Sequence, residues 1–270
     1  MDKRFRIFIS LQLLILVNLI AQEPTAPLPQ NIFGLSTGIC SHIVKDDLMS
    51  PLIYKGTQSP IYISGKYLNS NTRFSLSLFY DELDLESSIT DKSYYLNHYS
   101  KNANILLDCS LNKKFYSFEN IKLTCFAGGK LKLLINSRDH YYTTDVDYVF
   151  GDNMASGDIN FFIEKHFSNS EKSLMYFNFS MPLAAVVYNN NKYNANVTKN
   201  PSDYNSYFEV VTINKLFEVQ TELSFVHFFG RYVGFELKHQ FHFFYLDKYE
   251  DLLHSKFVIN QYLFGLIVKI

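Results

Sequence analysis

The stretch Glu119–Leu134, ENIKLTCFAGGKLKLL, decides how the rest of the chain is read. Ile121, Leu123, Cys125, Ala127, Leu131 and Leu133 fall at every second position, and Asn120, Lys122, Thr124, Lys130 and Lys132 fall between them. A strand turns successive side chains to opposite faces, so this spacing predicts one apolar and one charged face.

The same device recurs on both sides of it. TRFSLSLFYDEL sets Phe74, Leu76, Leu78 and Tyr80 against Arg73, Ser75, Ser77 and Asp81, and NANILLDCSLN sets Ile105, Leu107, Cys109 and Leu111 against Asn104, Asp108, Ser110 and Asn112. Toward the C-terminus FEVQTELSF opposes Phe217, Val219, Thr221, Leu223 and Phe225 to Glu218, Gln220, Glu222 and Ser224. RYVGFELKHQFHFF follows with Val233, Phe235, Leu237, Phe241 and Phe243 against Glu236, Lys238, Gln240 and His242. The last segment, NQYLFGLIVKI, keeps Tyr262, Phe264, Leu266, Val268 and Ile270 on one face. A strand so apolar at a terminus is expected to be tied into a sheet rather than frayed. No sustained helical period and no capping box occurs after residue 21.

Composition narrows the setting. The 270 residues carry 25 basic and 26 acidic side chains, which excludes the basic footprint of a nucleic-acid binder. There are 20 Tyr and 25 Phe, no Trp, and a mean hydropathy of only -0.07, as expected when apolar residues occupy alternate positions. Residues 1–21, MDKRFRIFISLQLLILVNLIA, open with Lys3, Arg4 and Arg6, run apolar from Ile7 to Ile20 and reach a small residue at Ala21. This is the layout of a secretory signal peptide, and residues 22–31 then form a short periplasmic N-terminal segment ahead of a domain spanning 32–270.

Strand and connection lengths separate a membrane barrel from a soluble sandwich. Globular strands cluster near five or six residues, whereas these runs stay in phase for the roughly 9–11 residues a tilted membrane strand needs. Ten strands are expected at 32–42, 58–68, 72–85, 101–112, 118–135, 156–168, 172–188, 205–226, 231–246 and 254–270. Long connections at 43–57, 86–100, 136–155, 189–204 and 247–253 alternate with short turns near Asn69–Ser70, Lys113–Ser117, Ser168–Glu171 and Phe229–Arg231. The fold class is therefore all-β: an antiparallel up-and-down transmembrane β-barrel whose last strand pairs with its first. Twelve strands is the alternative count, since 140–150 also alternates and 205–226 is long enough for two. A soluble secreted β-sandwich is the alternative fold. Pro182 removes a ladder donor and suggests a bulge or a place near the rim.

With the signal peptide ending in AQ, the alternating strands and the amphipathic terminal strand, the chain resembles outer-membrane β-barrel proteins of Gram-negative bacteria. DDLMSPLIYKG (46–56) followed by YLNSNTRFSLSLFYDELDLES (67–87) is similar to barrel families of the Bacteroidota. The resemblance implies residence in the outer membrane, outer-membrane lipids as partners, and delivery by the barrel-assembly machinery. The signal read by that machinery usually ends on Phe, where this chain has Ile270.

Function is less legible. About ten strands enclose an interior that side chains can largely fill, unlike the 16–18 strands of aqueous porins. The inward phase includes Lys66, Arg73, Asp108, Lys122, Lys130, Lys132, Glu164, Glu218, Glu222, Glu236 and Lys238. Both signs are present, so a lumen network of ion pairs and hydrogen bonds is expected, in a barrel of structural or surface-interaction type whose surface ligand no motif identifies. A narrow channel for small polar solutes or ions is the alternative.

An outer-membrane hydrolase is the remaining class. Barrel proteases of ten strands use Asp and His near the outer rim, and SRDHYYTTD offers Asp139 and His140 with Asp145 and Asp147. Neighbours on a strand point to opposite faces, so Asp139 and His140 converge only if this stretch is an irregular loop. Barrel phospholipases need a Ser, a His and a polar orienter, and no serine motif marks a partner for His239 or His242. These two histidines, three apart, cannot share an ion on a strand, and no metal or other cofactor is expected. A turn centred near 117 would set Cys109 opposite Cys125, either as two outward apolar residues or as a cross-strand disulfide, and leaves Cys40 without a partner. Tyr62, Tyr67, Tyr80, Tyr176, Tyr188, Tyr232, Tyr245 and Tyr262 suit an interfacial girdle.

Overall fold

In a computed structural model the described residues are 30–46, 50–87, 99–141, 148–167, 172–189, 207–248 and 253–270. The signal peptide, most of the segment 22–31, and the candidates Asp145 and Asp147 lie outside them.

The described residues form one antiparallel sheet of twelve strands: β1 (Gln30–Asp46), β2 (Ser50–Gln58), β3 (Ile61–Leu68), β4 (Thr72–Ser87), β5 (Tyr99–Phe118), β6 (Leu123–Tyr141), β7 (Tyr148–His166), β8 (Ser173–Asn189), β9 (Tyr207–Thr212), β10 (Leu216–Phe228), β11 (Val233–Lys248) and β12 (Leu253–Lys269). Two pairs share a single place in the wall. β2 and β3 both lie between β1 and β4, and β9 and β10 both pair with β8. Twelve strands thus make ten staves, which reconciles the two counts. Pro60 has no N–H to donate, and the ladder stops at Gln58 and resumes at Ile61 in the same register, Ile43 facing Lys55 and Thr37 facing Ile61.

Closure occurs at the termini. β12 pairs with β11 on one side and with β1 on the other, from Ile32–Lys269 to Asp46–Ser255. Ile270 N–H donates to the Asn31 carbonyl at 2.9 Å. Ring closure leaves no unpaired edge, and Tyr262, Phe264, Leu266 and Val268 face outward. The outward face carries exposed apolar side chains on stave after stave, including Leu35, Ile63, Leu76, Leu107, Leu131, Phe161 and Leu237. A soluble sandwich buries that face; this molecule exposes it.

Several boundaries differ from expectation. The connections placed at 43–57 and 136–155 are mostly strand, because β1 runs to Asp46, β2 starts at Ser50, β6 runs to Tyr141 and β7 starts at Tyr148. The turn expected at Lys113–Ser117 is a 3-10 turn at Glu119–Ile121, closed by Lys122 in the left-handed region with φ 50°. Cys109 consequently faces Leu131, and Cys125 faces Tyr116, so the two thiols are not opposed and both are free. Pro182 does mark a bulge, where the register between β7 and β8 shifts at Gly157/Asp158.

Candidate functional site: the barrel interior

The interior is built from the second phase of every strand, and it is layered. At the short-turn end Ile32, Leu68, Leu174, Tyr176, Val226, Phe228 and Ile267 pack together. At the other end Val44, Tyr54, Leu83, Leu85, Leu134, Phe244, Leu246 and Phe257 belong to a larger apolar cluster. Charged side chains fill the space between them. The outer apolar layer is hidden in the sequence because Phe79, Leu83 and Leu85 sit in the phase that also carries Arg73, lower on the same strand, and Asp81, between Phe79 and Leu83.

Each charge of the middle layer meets its opposite. Arg73 spans to Glu164 through Nε at 2.6 Å and Nη2 at 2.7 Å, with its guanidinium over the Phe126 ring at 4.3 Å. Lys130 donates to Gln220 at 2.7 Å and Asp108 at 3.2 Å. Lys132 lies between Asp158, at 3.3 Å, and Glu218, which also contacts His242. Lys66 donates to Glu236 at 2.7 Å, while Lys238 lies 3.5 Å from Glu222 and 3.6 Å from Glu236. Lys122 is buried but sits at the turn, apart from these pairs.

Tyr62 and Tyr176 belong here and not in an interfacial girdle. Tyr62 shares the phase of Ser64 and lies under the Lys238 ammonium at 3.8 Å, and Tyr176 stacks on Phe162 and contacts Glu236. Tyr67, Tyr80, Tyr232 and Tyr262 are exposed, as a girdle requires. His239 bonds Asn260 at 2.7 Å from the outward phase, and His242 is buried beside Glu218. The backbone at Asp139 and His140 is regular strand, in ladder with Lys101 and Ser100 on one side and with Val149 and Tyr148 on the other. The irregular loop that would bring them together is absent at these positions.

A third grouping was not anticipated. Cys40 and His42 alternate inward on β1, and both reach Asp81 of β4: Cys40 Sγ lies 3.0 Å from His42 Nε2 and 3.5 Å from Asp81 Oδ2, and His42 Nε2 lies 2.5 Å from the same oxygen. All three are fully buried. Gly56, the ladder partner of His42, contributes no side chain on the intervening stave, and a Cβ there would come within 2.5 Å of the Asp84 carbonyl oxygen. Asn104 donates to Asp81 Oδ1 at 2.7 Å and is itself held by Asn136 at 2.5 Å. Beside this group, where the stave breaks at Ser59–Pro60, a cleft of about 390 Å³ opens in the wall, lined by Gln58, Ser59, Asp81, Glu82, Asp84 and Lys101 among others.

No protein-family model matches the sequence, and no curated protein aligns with it. Among solved structures, the outer membrane protease OmpT from Escherichia coli superposes with a TM-score of 0.54 at 7% identity, covering 91% of this chain and 98% of that one. The translocator domain of the autotransporter NalP from Neisseria meningitidis gives a TM-score of 0.41 at 9% identity, over 98% and 95% of the two chains. The fold is that of an outer-membrane β-barrel.

Proposed function

We propose that this protein is an outer-membrane barrel that does not conduct, its work done at the outer end by contact with a surface ligand. The observation that supports this is the filled interior. Two apolar layers enclose a middle layer of paired charges, and the cavities described among these side chains measure about 30, 10 and 10 Å³. A single water needs about 10–15 Å³ measured this way. Such voids hold isolated waters and not a hydrated file.

The belt of exposed apolar residues is in this reading immersed in lipid, with the short turns and both termini on the periplasmic side and the long connections outside. Those connections hold the Tyr- and Asn-rich sequences SYYLNHYS (93–100) and YNNNKYNANVTKNPSDYN (188–205). A Tyr ring offers a ligand a large rigid contact with a polar tip at small entropic cost.

The test is planar-bilayer conductance of the purified, detergent-refolded chain, after its electrophoretic mobility has been shown to change on boiling. A folded barrel without discrete current steps is the expected result. Reproducible steps would replace this reading with a narrow channel.

A further inference from the structure

Among the buried carboxylates, the one set between Phe79 and Leu83 of the outer apolar cluster is treated differently from the rest. Asp108, Asp158, Glu164, Glu218 and Glu236, the other buried carboxylates among the described residues, each pair with a lysine or arginine. Asp81 meets a histidine, a thiol and the neutral amide of Asn104, and no lysine or arginine among the described residues. Burying a carboxylate is costly unless it is paired, and the groups that converge on this one, a thiol and an imidazole, are both metal-binding side chains.

We propose that Cys40, His42 and Asp81 bind a divalent transition-metal ion of borderline softness, zinc being the representative case. Sulfur, imidazole nitrogen and carboxylate oxygen together select such ions over magnesium or calcium. The three ligand atoms lie within 4.8 Å of one another. Zinc–sulfur and zinc–nitrogen or oxygen bonds of about 2.3 and 2.0–2.2 Å put tetrahedral ligand atoms roughly 3.3–3.6 Å apart. The Cys40–Asp81 separation of 3.5 Å has that value already, and the contacts at 3.0 and 2.5 Å need to open by less than about 1 Å on the same geometry.

Charge, support and access agree with the assignment. On binding, the Cys40 thiol gives its proton to solvent, so thiolate and carboxylate balance the two positive charges of the ion. Asn104 and Asn136 fix Asp81 from behind, the outer-shell orientation that metal ligands receive. Asp81 also lines the wall cleft, together with Glu82, Asp84 and Lys101, so an ion has a polar path to one ligand of the site. A bound ion would tie β1 to β4 across the break at Ser59–Pro60. The site needs only the fold, and a conducting barrel would leave it intact.

Cobalt(II) titration of the refolded, chelator-treated full chain tests this, with each variant first shown to be folded by its mobility shift on boiling. One equivalent of cobalt is expected to give a near-ultraviolet thiolate-to-cobalt band that zinc removes. Cys40→Ser should abolish the band, His42→Gln and Asp81→Asn should weaken binding at least about tenfold, in line with ligand-shell losses, and Cys109→Ser should change nothing. A folded wild-type barrel without the band, or a band that survives Cys40→Ser, overturns the proposal. If Cys40→Ser does not fold, X-ray absorption at the zinc edge of the wild-type protein decides: one sulfur in the shell supports the site, and a shell of nitrogen and oxygen alone overturns it.

Discussion

Lys132 is the residue on which the middle layer most depends. Its ammonium, fully buried, sits between Asp158 and Glu218, and removing one member of such a group leaves an uncompensated charge in a medium that cannot solvate it. Lys132→Met is expected to cost about 3–5 kcal/mol, read as a fall in the urea midpoint of the refolded barrel. Adding Glu218→Gln and Asp158→Asn should restore most of the loss, since no bare charge then remains. By contrast Lys101, half exposed and paired with Glu82 at 2.5 Å, should cost under about 1 kcal/mol when replaced by Met. The inward position of Lys132 and Glu218 was legible, because alternation assigns a face. Their partnership was not, because they lie 86 residues apart and phase says nothing about which inward residues meet across the lumen. The same blindness hid Asp81 from Cys40 and His42, which lie on staves that are not neighbours.

At the scale of the strand, alternation marks only the part of each element with an apolar outer face, and the ladder continues past it. β4 shows the transition: Phe74, Leu76, Leu78 and Tyr80 face out, then Glu82, Asp84 and Glu86, while pairing with β5 runs on to Glu86–Tyr99. Backbone hydrogen bonds need no apolar side chain, so strands read from hydropathy stop where the belt stops, and 43–57 and 136–155 read as connections. The turn at Glu119–Ile121 was missed for the opposite reason, since Ile121 and Leu123 keep the alternation going through it. Cost on the outer face should follow depth in the bilayer. Leu131, laddered to Cys109 and through it level with Leu76, lies in the middle of the belt, whereas Phe115 lies beside Lys113 and Lys114 near the short turns. Leu131→Arg should destabilise the barrel folded in vesicles by about 2–4 kcal/mol, and Phe115→Arg by about 0–1. Equal costs at the two sites would mean that the belt does not lie in the membrane as drawn.

For the whole molecule, the layered plug makes conduction a property of no single layer. The outer apolar layer is tightly packed: Phe244 stacks on Phe257 with ring centroids 4.2 Å apart, and Leu134 and Leu246 are fully buried beside them in the same cluster. Truncating Phe244 and Leu134 to Ala should cost about 2–5 kcal/mol each, because the surrounding wall is hydrogen-bonded and collapses only in part. The space so made is apolar and stays dry, and beneath it Lys130, Lys132 and their partners still close the path. This double variant should therefore remain silent in planar bilayers even though its unfolding midpoint falls. Opening a path requires removal of side chains in all three layers on one side of the lumen, for example by adding Lys130→Ala, Gln220→Ala and Phe228→Ala to that pair. Stepwise conductance confined to the combined variant is the expected pattern. Steps from the outer-layer variant alone would show that the charged layer passes ions without being cut, and would make the apolar layer the gate.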